Sequence, residues 1–273
     1  MTLSIIILNY KSKNLTRECV RSVLDSKLPD EYEIIVVDNG SNDGVKNMLD
    51  EQFGGKIKFI GLEKNVGMGT GNNIGIKSSV GKYVMILNPD GIVLENSIRE
   101  LIEFAEQNPR AGIIAPKIIN PDGTHQVSVH RFPHFLMPFY RRTFLGKTNK
   151  GKAYLEKYVV DTIPQDRPSL VDWVFGPAFL ARRDLMDAIG GYDERFFLFF
   201  EDTDLCRRVH EYGFGVWYVP SSNVVHFPHR LSGHHLGLMS LRKKTTWHHI
   251  VSWLKYFWKW RNSTFSPNKK GML

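Results

Sequence analysis

Long apolar runs alternate with amphipathic segments over the first third of the chain. Residues 4–8 and 33–37 are mostly apolar and rich in β-branched side chains, a pattern typical of strands buried on both faces of a parallel sheet. Between them, apolar residues recur at helical spacing from Leu15 to Leu24, and Pro29 follows. This order predicts a βαβ unit, and residues 82–87 predict a third buried strand.

The pattern continues to residue 226 with one interruption. Periodicity disappears between Gly123 and Pro168, where aromatic and basic residues mix at His130–Arg142. We expect a loop or lid there, either an acceptor- or membrane-facing surface or a plain insertion. The other predicted elements are helices over 43–52 and 98–105, a short helix capped by Asp184, a helix beginning near Glu201, a strand over 58–62, a strand over 113–116, regular structure over 170–180, and strands over 216–219 and 223–226.

The last segment can be read as one amphipathic, basic helix. Its apolar face comprises Trp247, Ile250, Val251, Leu254, Phe257 and Trp258. Eight Lys or Arg and no acidic residue lie between Arg242 and Leu273, whereas the rest of the chain has 28 residues of each sign. The interpretations left open are an interfacial membrane helix, packing on the rest of the chain or in a homo-oligomer, and nucleic-acid binding. Because charge confined to one tail does not form a groove, we expect no nucleic-acid partner.

Composition and cysteine usage narrow the class of protein. The 273 residues, 42% of them hydrophobic, suffice for one large or two small globular domains. Cys19 and Cys206 lie in predicted helices without C-x-x-C spacing, which favours a reducing compartment over a disulfide framework or structural zinc. The first residues carry no basic stretch before the apolar run, so we expect no signal peptide, and no apolar run reaches the ~18 residues that span a bilayer.

Polar residues follow three predicted strands at their carboxyl ends. Asn9, Asp38 and Asp90 should share one rim, where open α/β sheets bind ligands, although the sequence from Asp38 to Ser41 is also ordinary turn chemistry. Glycines and asparagines between Glu63 and Gly75 allow close backbone approach to a ligand and supply amide groups. Their spacing matches neither a dinucleotide fingerprint nor a phosphate loop.

Adjacent carboxylates follow a hydrophobic wall. Four Phe and one Leu between Phe196 and Phe200 precede Glu201 and Asp202. Burial against these rings would raise a carboxylate pKa, whereas the first turn of a helix would lower it, so the two effects oppose each other. Asp204 has an ordinary explanation as the i,i+4 partner of Arg208. Asp202 has no such partner within the helix, and we expect it to be functional.

Taken in order, the motifs resemble glycosyltransferase family 2 over residues 3 to about 230, most of all its bacterial rhamnosyltransferase-like branch, which extends cell-surface polysaccharides. The motifs are Ile5–Tyr10, Val36–Ser41, Asn65–Gly67 with Asn72-Asn73, Leu87–Asp90, Trp173 with Gly176, Phe200–Leu205 and Val225-His226. The resemblance implies an α/β protein of the GT-A fold, with a Rossmann-like mixed sheet flanked by helices. The helical spacing of apolar residues in the last segment predicts, in addition, a C-terminal amphipathic helical tail. The resemblance also implies an enzyme that uses a divalent metal and inverts the anomeric centre.

Carried over residue by residue, the resemblance implies a donor site and a metal site. The expected donor contacts are Asn9, Tyr10, Asp38, Asn65, Gly67, Asn72, Asn88 and Asp90. Asp38 would contact the base or ribose, and Asp90 matches the metal-binding aspartate of the family's D-x-D motif. Asn88 replaces the first acidic residue of that motif, while His226 matches a histidine that completes the site. One carboxylate, one imidazole and the donor's phosphates suit Mg²⁺ or Mn²⁺.

The resemblance assigns catalysis to Asp202, which would accept the proton of the attacking acceptor hydroxyl. Expected acceptor contacts are Trp173, Gly176 and Glu201. Arg207 or Arg208 could assist the diphosphate, although pairing with Asp204 explains Arg208 equally well. The best-matching donor is dTDP-rhamnose, with UDP-hexoses, UDP-galactofuranose and UDP-N-acetylhexosamines as alternatives. The expected acceptor is a cell-surface polysaccharide or a lipid-linked glycan.

We expect residues 1–230 to form the catalytic domain, with a nucleotide-sugar half over 1–95 and an acceptor half over 96–230. Residues 231–273 would form the basic, aromatic tail, which would hold a cytoplasmic chain peripherally on the inner face of the cell membrane. A non-catalytic nucleotide-sugar-binding scaffold is the main alternative. A nucleotidyltransferase is disfavoured because we find no Gly-rich stretch with Arg and Lys near the N-terminus.

Overall fold

The computed structural model describes residues 1–137, 140, 144–156, 164–227 and 244–263. The strands are β1 (Leu3–Asn9), β2 (Tyr32–Asp38), β3 (Ile57–Gly61), β4 (Tyr83–Leu87), β5 (Gly91–Val93), β6 (Ala111–Ile119), β7 (His125–Gln126), β8 (Val129–His130), β9 (Ser169–Val171), β10 (Trp173–Val174), β11 (Ala178–Arg182) and β12 (Gly215–His226). The α-helices are α1 (Lys13–Asp25), α2 (Val45–Phe53), α3 (Met68–Lys77), α4 (Ser97–Gln107), α5 (Asn149–Glu156), α6 (Arg183–Ile189), α7 (Glu201–Glu211) and α8 (Lys244–Lys259). A 3-10 turn spans Phe144–Lys147.

A mixed sheet of ten strands runs through the described structure in the order β3-β2-β1-β4-β11-β6-β12-β5, with β7 beside β6 and β9 beside β12. Strands β1 to β4 are parallel, whereas β11 is antiparallel to both of its neighbours. Strands β8 and β10 form a separate pair. The predicted mixed α/β sheet flanked by helices is confirmed.

Strand residues alternate between two apolar cores, one on each face of the sheet. Ile5 and Ile7 of β1 pack with α1, α2 and α4, whereas Ile6 packs with α3, α6 and α7. This period of two follows from the strand geometry, which sends successive side chains to opposite faces. Because both faces are covered by helices, the central strands are apolar throughout.

Two local features differ from the sequence-based expectation. The strands predicted over 216–219 and 223–226 are one strand, β12, whose register shifts between Val219 and Asn223, since Pro220 cannot donate a ladder hydrogen bond. Asp184 does not cap its helix, because α6 begins at Arg183 and Asp184 lies in the first turn.

Part of the glycine-rich segment is helical and forms α3. A Cβ at Gly71 or Gly75 would come within 2.6 Å of Leu8 or 2.5 Å of Ile6, both on β1. These two glycines therefore allow α3 to pack closely on the sheet, a role different from the predicted approach to a ligand.

The tail forms the predicted helix, α8, but the residues it buries are Ser252 and Tyr256. Trp247, Val251 and Leu254 of the predicted apolar face are 55%, 43% and 51% exposed, and Trp258 is 70% exposed. None of the helices in the described ranges is sufficiently long and apolar to span a bilayer. Several basic and aromatic residues of the predicted loop and tail lie outside the described residues, among them Phe139, Arg141, Arg142, Arg242, Lys243, Lys269 and Lys270. The division of the chain into domains stays a prediction.

Candidate active site

The carboxyl ends of β1 and β2 meet in a polar network around Asp38. Asn9 pairs with Asp38 in the strand register, and Asn9 Nδ2 donates a hydrogen bond to Asp38 Oδ1 at 2.8 Å. The Asn9 side-chain oxygen accepts hydrogen bonds from Thr16 and Ser12 at 2.8 and 3.0 Å. Because Asn9 is fully buried, its amide positions Asp38 at the rim.

Asp38 receives further hydrogen bonds from Ser41, whose hydroxyl donates to Oδ1 and whose backbone N–H donates to Oδ2 at 3.3 Å. The carboxylate is therefore fixed in orientation and only 8% exposed. Tyr10, which follows Asn9, is 44% exposed. The predicted donor contacts at this corner thus combine a fixed carboxylate with an accessible aromatic ring.

Asn39 and Asn65 tie the segment before α3 to the end of β2. Asn39 donates to Asn65 Oδ1 at 3.1 Å and accepts from Val66 N–H at 2.9 Å, and Asn65 also accepts from Gly67 N–H at 2.9 Å. Asn72 differs, because it is 1% exposed and neither of its amide atoms has a hydrogen-bond partner among the described residues. A buried, unsatisfied polar group costs about 1–3 kcal/mol, so Asn72 is a candidate for contacting a polar ligand.

Asp90 and His226 meet where β5 pairs with β12. The register places His226 opposite Gly91, and His226 Nε2 lies 3.4 Å from Asp90 Oδ2. Gln126 Oε1 lies 3.0 Å from His226 Nδ1. When Nδ1–H donates to Gln126, the Nε2 lone pair is left on the Asp90 side, an arrangement common among metal-binding histidines.

These two side chains fit a divalent cation. Asp90 Oδ1 is buried and has no hydrogen-bond partner in the part of the chain that the structure describes. The pair therefore offers a carboxylate oxygen and an imidazole nitrogen to a cation such as Mg²⁺ or Mn²⁺. Within the ranges that the structure describes, no group of three or more His, Cys, Asp or Glu side chains is arranged to hold a metal. Within those ranges the protein therefore supplies two ligands, and the other coordination positions are open to the donor's phosphates and to water.

Residues 175–177 link the metal candidates to the predicted base. The Phe175 ring packs edge-on against His226, with centroids 6.1 Å apart. Gly176 N–H donates to Asp202 Oδ2 at 3.1 Å. The carbonyl of Pro177 accepts from Asn88 N–H at 2.8 Å. This segment therefore brings the end of β4, the predicted metal site and the start of α7 into one region.

Asp202 lies in the first turn of α7 and is 8% exposed. Besides the Gly176 bond, its Oδ1 accepts a long hydrogen bond of 3.4 Å from the Tyr192 hydroxyl. A Cβ at Gly176 would lie 2.5 Å from Asp202 Oδ2, so only glycine allows this approach. Burial raises the pKa of Asp202 to about 7, while the hydrogen bonds from Gly176 and Tyr192 act in the opposite direction.

A buried carboxylate with a pKa near neutrality can accept a proton at the pH of a cell. In the folded protein, burial has a larger effect on the Asp202 pKa than the hydrogen bonds from Gly176 and Tyr192. Burial, followed by the charge of Asp202, also raises the pKa of Glu201 well above its ordinary value. Glu201 Oε2 is buried and none of the described residues forms a hydrogen bond with it, so this acid remains a candidate acceptor contact.

The arginines of α7 are engaged within the protein. Arg208 Nε lies 2.9 Å from Asp204 Oδ2, as the i,i+4 spacing predicted, and Arg208 also donates to Ile189 O at 2.8 Å. The Arg207 guanidinium lies 4.4 Å from the centroid of the Trp260 ring. These contacts favour the structural interpretation of Arg208 and give Arg207 a packing role in place of the suggested diphosphate contact.

Trp173 contacts the first residues of the aromatic and basic loop, His130 and Arg131. Its ring stacks on His130 with centroids 4.7 Å apart, and its indole N–H donates to Arg131 O at 2.9 Å. The loop is therefore attached beside Phe175 and Gly176. This placement agrees with an acceptor contact but does not test it.

Sequence reasoning missed Tyr192, which is 2% exposed and donates to the predicted base. Its backbone is held by the Asn73 side chain, with hydrogen bonds of 2.8 and 2.9 Å. Gly190 and Gly191 mark a turn before it, but no spacing signal indicates a contact between residues 119 positions apart. Only the fold joins Asn73 of α3 to the base side of the site.

The chain matches known proteins in sequence. Residues 4–159 match the family described as Glycosyl transferase family 2. The chain is 30% identical over 207 residues to the N-acetylglucosaminyl-diphospho-decaprenol L-rhamnosyltransferase of Mycobacterium tuberculosis, covering 71% of this chain and 66% of that protein. It is 29% identical over 206 residues to the rhamnosyltransferase WbbL of Escherichia coli K12, covering 72% of this chain and 74% of that protein. The chain thus spans just under two thirds of the mycobacterial relative.

Solved structures resemble the fold. A crystal structure of GalNAc-T7 with UDP, GalNAc and Mn²⁺ superposes with a TM-score of 0.68 at 18% identity, covering 96% of this chain and 48% of that one. TarS of S. aureus in complex with UDP superposes with a TM-score of 0.57 at 16% identity, covering 84% of this chain and 61% of that one. The similarity to these glycosyltransferases confirms the predicted GT-A fold.

Proposed function

This chain belongs to glycosyltransferase family 2, and from that membership we propose that it is a metal-dependent, inverting glycosyltransferase. The sugar would pass from a nucleotide-sugar donor to a hydroxyl of a glycan acceptor. The observation that carries the proposal is Asp202, a buried carboxylate with a pKa of about 7 that accepts a hydrogen bond from Gly176 N–H. Such a group can remove the proton of an attacking hydroxyl at neutral pH.

Each part of the site has a proposed task in this reaction. Asp38 and Tyr10 bind the nucleotide, and Asn72 supplies amide hydrogen bonds to the donor. Asp90 and His226 hold the divalent cation, which when bound neutralises the charge of the leaving diphosphate. Asp202 takes the proton of the acceptor hydroxyl, on the face of the sugar opposite the leaving diphosphate. Residues 175–177 and Trp173 contact the acceptor.

We propose dTDP-rhamnose as the donor and a lipid-linked glycan or cell-surface polysaccharide as the acceptor. Two relatives named rhamnosyltransferases support the sugar, and the name of the mycobacterial one includes a decaprenol-linked acceptor. A hexosyltransferase, Agl10 of Haloferax volcanii, is 29% identical over 212 residues, 76% of this chain and 61% of that protein. UDP-hexoses, UDP-galactofuranose and UDP-N-acetylhexosamines therefore remain the alternative donors.

Contact with a membrane surface is part of the proposal. The outward stripe of α8 includes Val251, Leu254 and Trp258, and Arg261 lies over the Trp258 ring at 4.2 Å. Apolar and Trp side chains beside basic groups suit the interface of an anionic bilayer. We expect sedimentation with vesicles containing anionic lipid to be reduced by Leu254→Ser with Trp258→Ser, and equal sedimentation of this variant would contradict the surface assignment.

The central test is binding and turnover across a panel of nucleotide sugars with Mg²⁺, Mn²⁺ or EDTA. We expect one donor to bind in a metal-dependent manner and Asp90→Ala to weaken that binding by more than about tenfold, the effect of losing a charged ligand. Asp50→Ala, which removes an exposed partner of Lys46 on α2, is the matched control. Metal-dependent binding without turnover would support the scaffold alternative, and binding of no donor would refute the proposal.

A further inference from the structure

Asp204 has more partners than its place in α7 explains. It is fully buried, and its i,i+4 pair with Arg208 accounts for only one of its contacts. Lys259 Nζ lies 2.7 and 2.8 Å from its two oxygens, and the Trp260 indole N–H donates to Oδ1 at 2.9 Å. A buried carboxylate that is one turn into the catalytic helix is thus neutralised by the end of the tail helix.

The turn before α7 has an unfavourable backbone conformation. Phe199 and Phe200 have φ values of 68° and 67°, and each left-handed residue with a Cβ costs roughly 1–2 kcal/mol. Such conformations persist only where the surrounding structure fixes them. Asp202 follows Phe200 by two residues, so whatever fixes this turn also fixes the predicted base.

Helix α8 supplies much of that fixation. Ser252 Oγ donates to Leu198 O at 2.9 Å and Lys255 Nζ to Arg195 O at 2.7 Å. The Tyr256 ring packs against Phe200 with centroids 5.3 Å apart. These bonds satisfy backbone carbonyls that the irregular turn cannot pair internally.

The donor side holds the same turn from another direction. Met68 N–H, at the start of α3, donates to Phe197 O at 2.9 Å. His248 of α8 stacks on the Phe197 ring, with centroids 4.7 Å apart. The turn therefore lies between the donor half of the site and the tail.

We propose that α8 and Trp260 act as a positioning brace for the active site: Lys259 and Trp260 hold Asp204, Ser252 and Tyr256 hold the turn at residues 197–200, and together they fix Asp202 in contact with Gly176. The inference rests on the proposed function only in naming Asp202 as the base. The mechanical part, that the tail holds the start of α7, does not depend on it. Lys259 and Trp260 are positioning residues, which act on Asp202 through Asp204 and α7.

The two cysteines provide a direct test of the mechanical part. Cys206 lies one turn after Asp202 and is buried, and Cys19 is equally buried in α1. We expect Trp260→Phe and Lys259→Met each to raise the rate of Cys206 modification by a soluble thiol reagent about tenfold, the change expected when a bond to a buried charge is lost. The rate for Cys19 should stay unchanged. An equal rise at both cysteines, or no rise at Cys206, would overturn the brace.

Turnover separates this inference from the proposed function. We expect Trp260→Phe to lower kcat about tenfold, because small displacements of a catalytic group are costly, and to leave KM for the donor within about twofold, since the donor rim is intact. Trp217→Phe, which removes part of a half-buried ring that packs at a tilt against Phe104, is the control for general destabilisation. Wild-type protein without turnover would refute the proposed function, whereas an active wild type with an equally active Trp260→Phe variant would refute the brace.

The pH profile gives a reading that loss of stability alone would not produce. Asp202 is faced by Glu201 on its own helix, by Tyr192 from the turn after α6 and by Gly176 N–H, with Cys206 nearby. If Trp260→Phe lets α7 move toward water, burial of Asp202 decreases and its pKa falls. The acid limb of the pH profile of kcat should then move to lower pH. A reduced kcat with an unchanged acid limb would contradict a role in positioning Asp202.

Discussion

Asp38 on the donor rim and Asp202 on the base side are both buried carboxylates held by hydrogen bonds, yet their partners come from different parts of the chain. Asp38 is held by Asn9 and Ser41, from the adjacent strand end and its own turn. Asp202 is held by Gly176 and Tyr192, and the helix that carries it is held by Lys259 and Trp260. The orientation of Asp38 is thus fixed within the βαβ unit, whereas the position of Asp202 is fixed by segments outside its own helix.

The donor rim and the base side also differ in their proposed chemical roles. A binding carboxylate needs a fixed orientation, which strand register and a turn can supply. A general base needs a pKa near the working pH. For Asp202 burial raises the pKa to that range, and its burial depends on distant elements that pack around it. The following predictions test this contrast, beginning with the largest expected effect.

The largest effect should come from Asp202→Asn, which removes the base and keeps the shape of the side chain. We expect transfer to fall about 10³-fold while donor binding, measured by calorimetry, stays within about twofold because the rim is unchanged. Loss of binding and transfer in equal measure would show that Asp202 supports the donor site and is not a base.

The same variant should be more stable than the wild type at alkaline pH. The folded state raises the pKa of Asp202 to about 7, so it binds the proton more tightly than the unfolded chain. This contribution to stability is present at low pH and lost as pH rises toward 7. The free energy of unfolding from thermal denaturation should therefore be higher for Asp202→Asn than for wild type near pH 8, by roughly 2–4 kcal/mol. The gap should close only below about pH 4, the ordinary pKa of an aspartate.

Gly176→Ala should rank next, because the new Cβ would lie 2.5 Å from Asp202 Oδ2 and must push the carboxylate aside. We expect kcat to fall about 100-fold, the cost of a displacement near 1 Å, with a smaller change in donor KM. Gly61→Ala on β3, where a Cβ would meet only the Phe59 ring, is the matched control. Full activity of Gly176→Ala would mean that the Asp202 contact has no catalytic value.

Asn9→Ala should damage the rim and leave the base side intact. It removes the donor to Asp38 and leaves Thr16 and Ser12 without their acceptor, at a cost of roughly 2–3 kcal/mol. Urea unfolding should show this loss, and donor KM should rise while the pH profile of kcat is unchanged. Asn120→Ala, which removes an exposed bond to Thr124, is the control, and a shifted pH profile for Asn9→Ala would refute the separation of the two sides.

The smallest effect should follow Tyr192→Phe, since its hydroxyl bond to Asp202 is long at 3.4 Å. That bond lowers the pKa of Asp202, so its removal should raise the pKa and move the acid limb of kcat to higher pH by less than about one unit. Tyr218→Phe, which removes a hydroxyl bond to Gln165, is the control. A limb that moves to lower pH would contradict this sign.

The sequence alone was sufficient for the parts whose cause is local. Apolar runs marked β1, β2 and β4 because strands buried on both faces must be apolar, and polar residues at their ends marked the rim because parallel strands end together. The Asp204–Arg208 pair followed from helical spacing.

Only the tertiary structure decided what surrounds those residues. Tyr192, which donates to Asp202, is held by Asn73, 119 positions away. Asp204 is paired with the Lys259 ammonium and accepts a hydrogen bond from Trp260, 55 and 56 positions away. The apolar stripe of α8 was visible in the sequence, but which face packs on the protein was not. Ser252 is buried by a hydrogen bond to Leu198 O, and Tyr256 by packing on Phe200 and by a hydrogen bond from Arg207 of α7. The periodicity of a sequence shows which residues share one face of a helix or strand, whereas the burial of that face depends on which distant segment packs against it. Burial is what raises the pKa of Asp202.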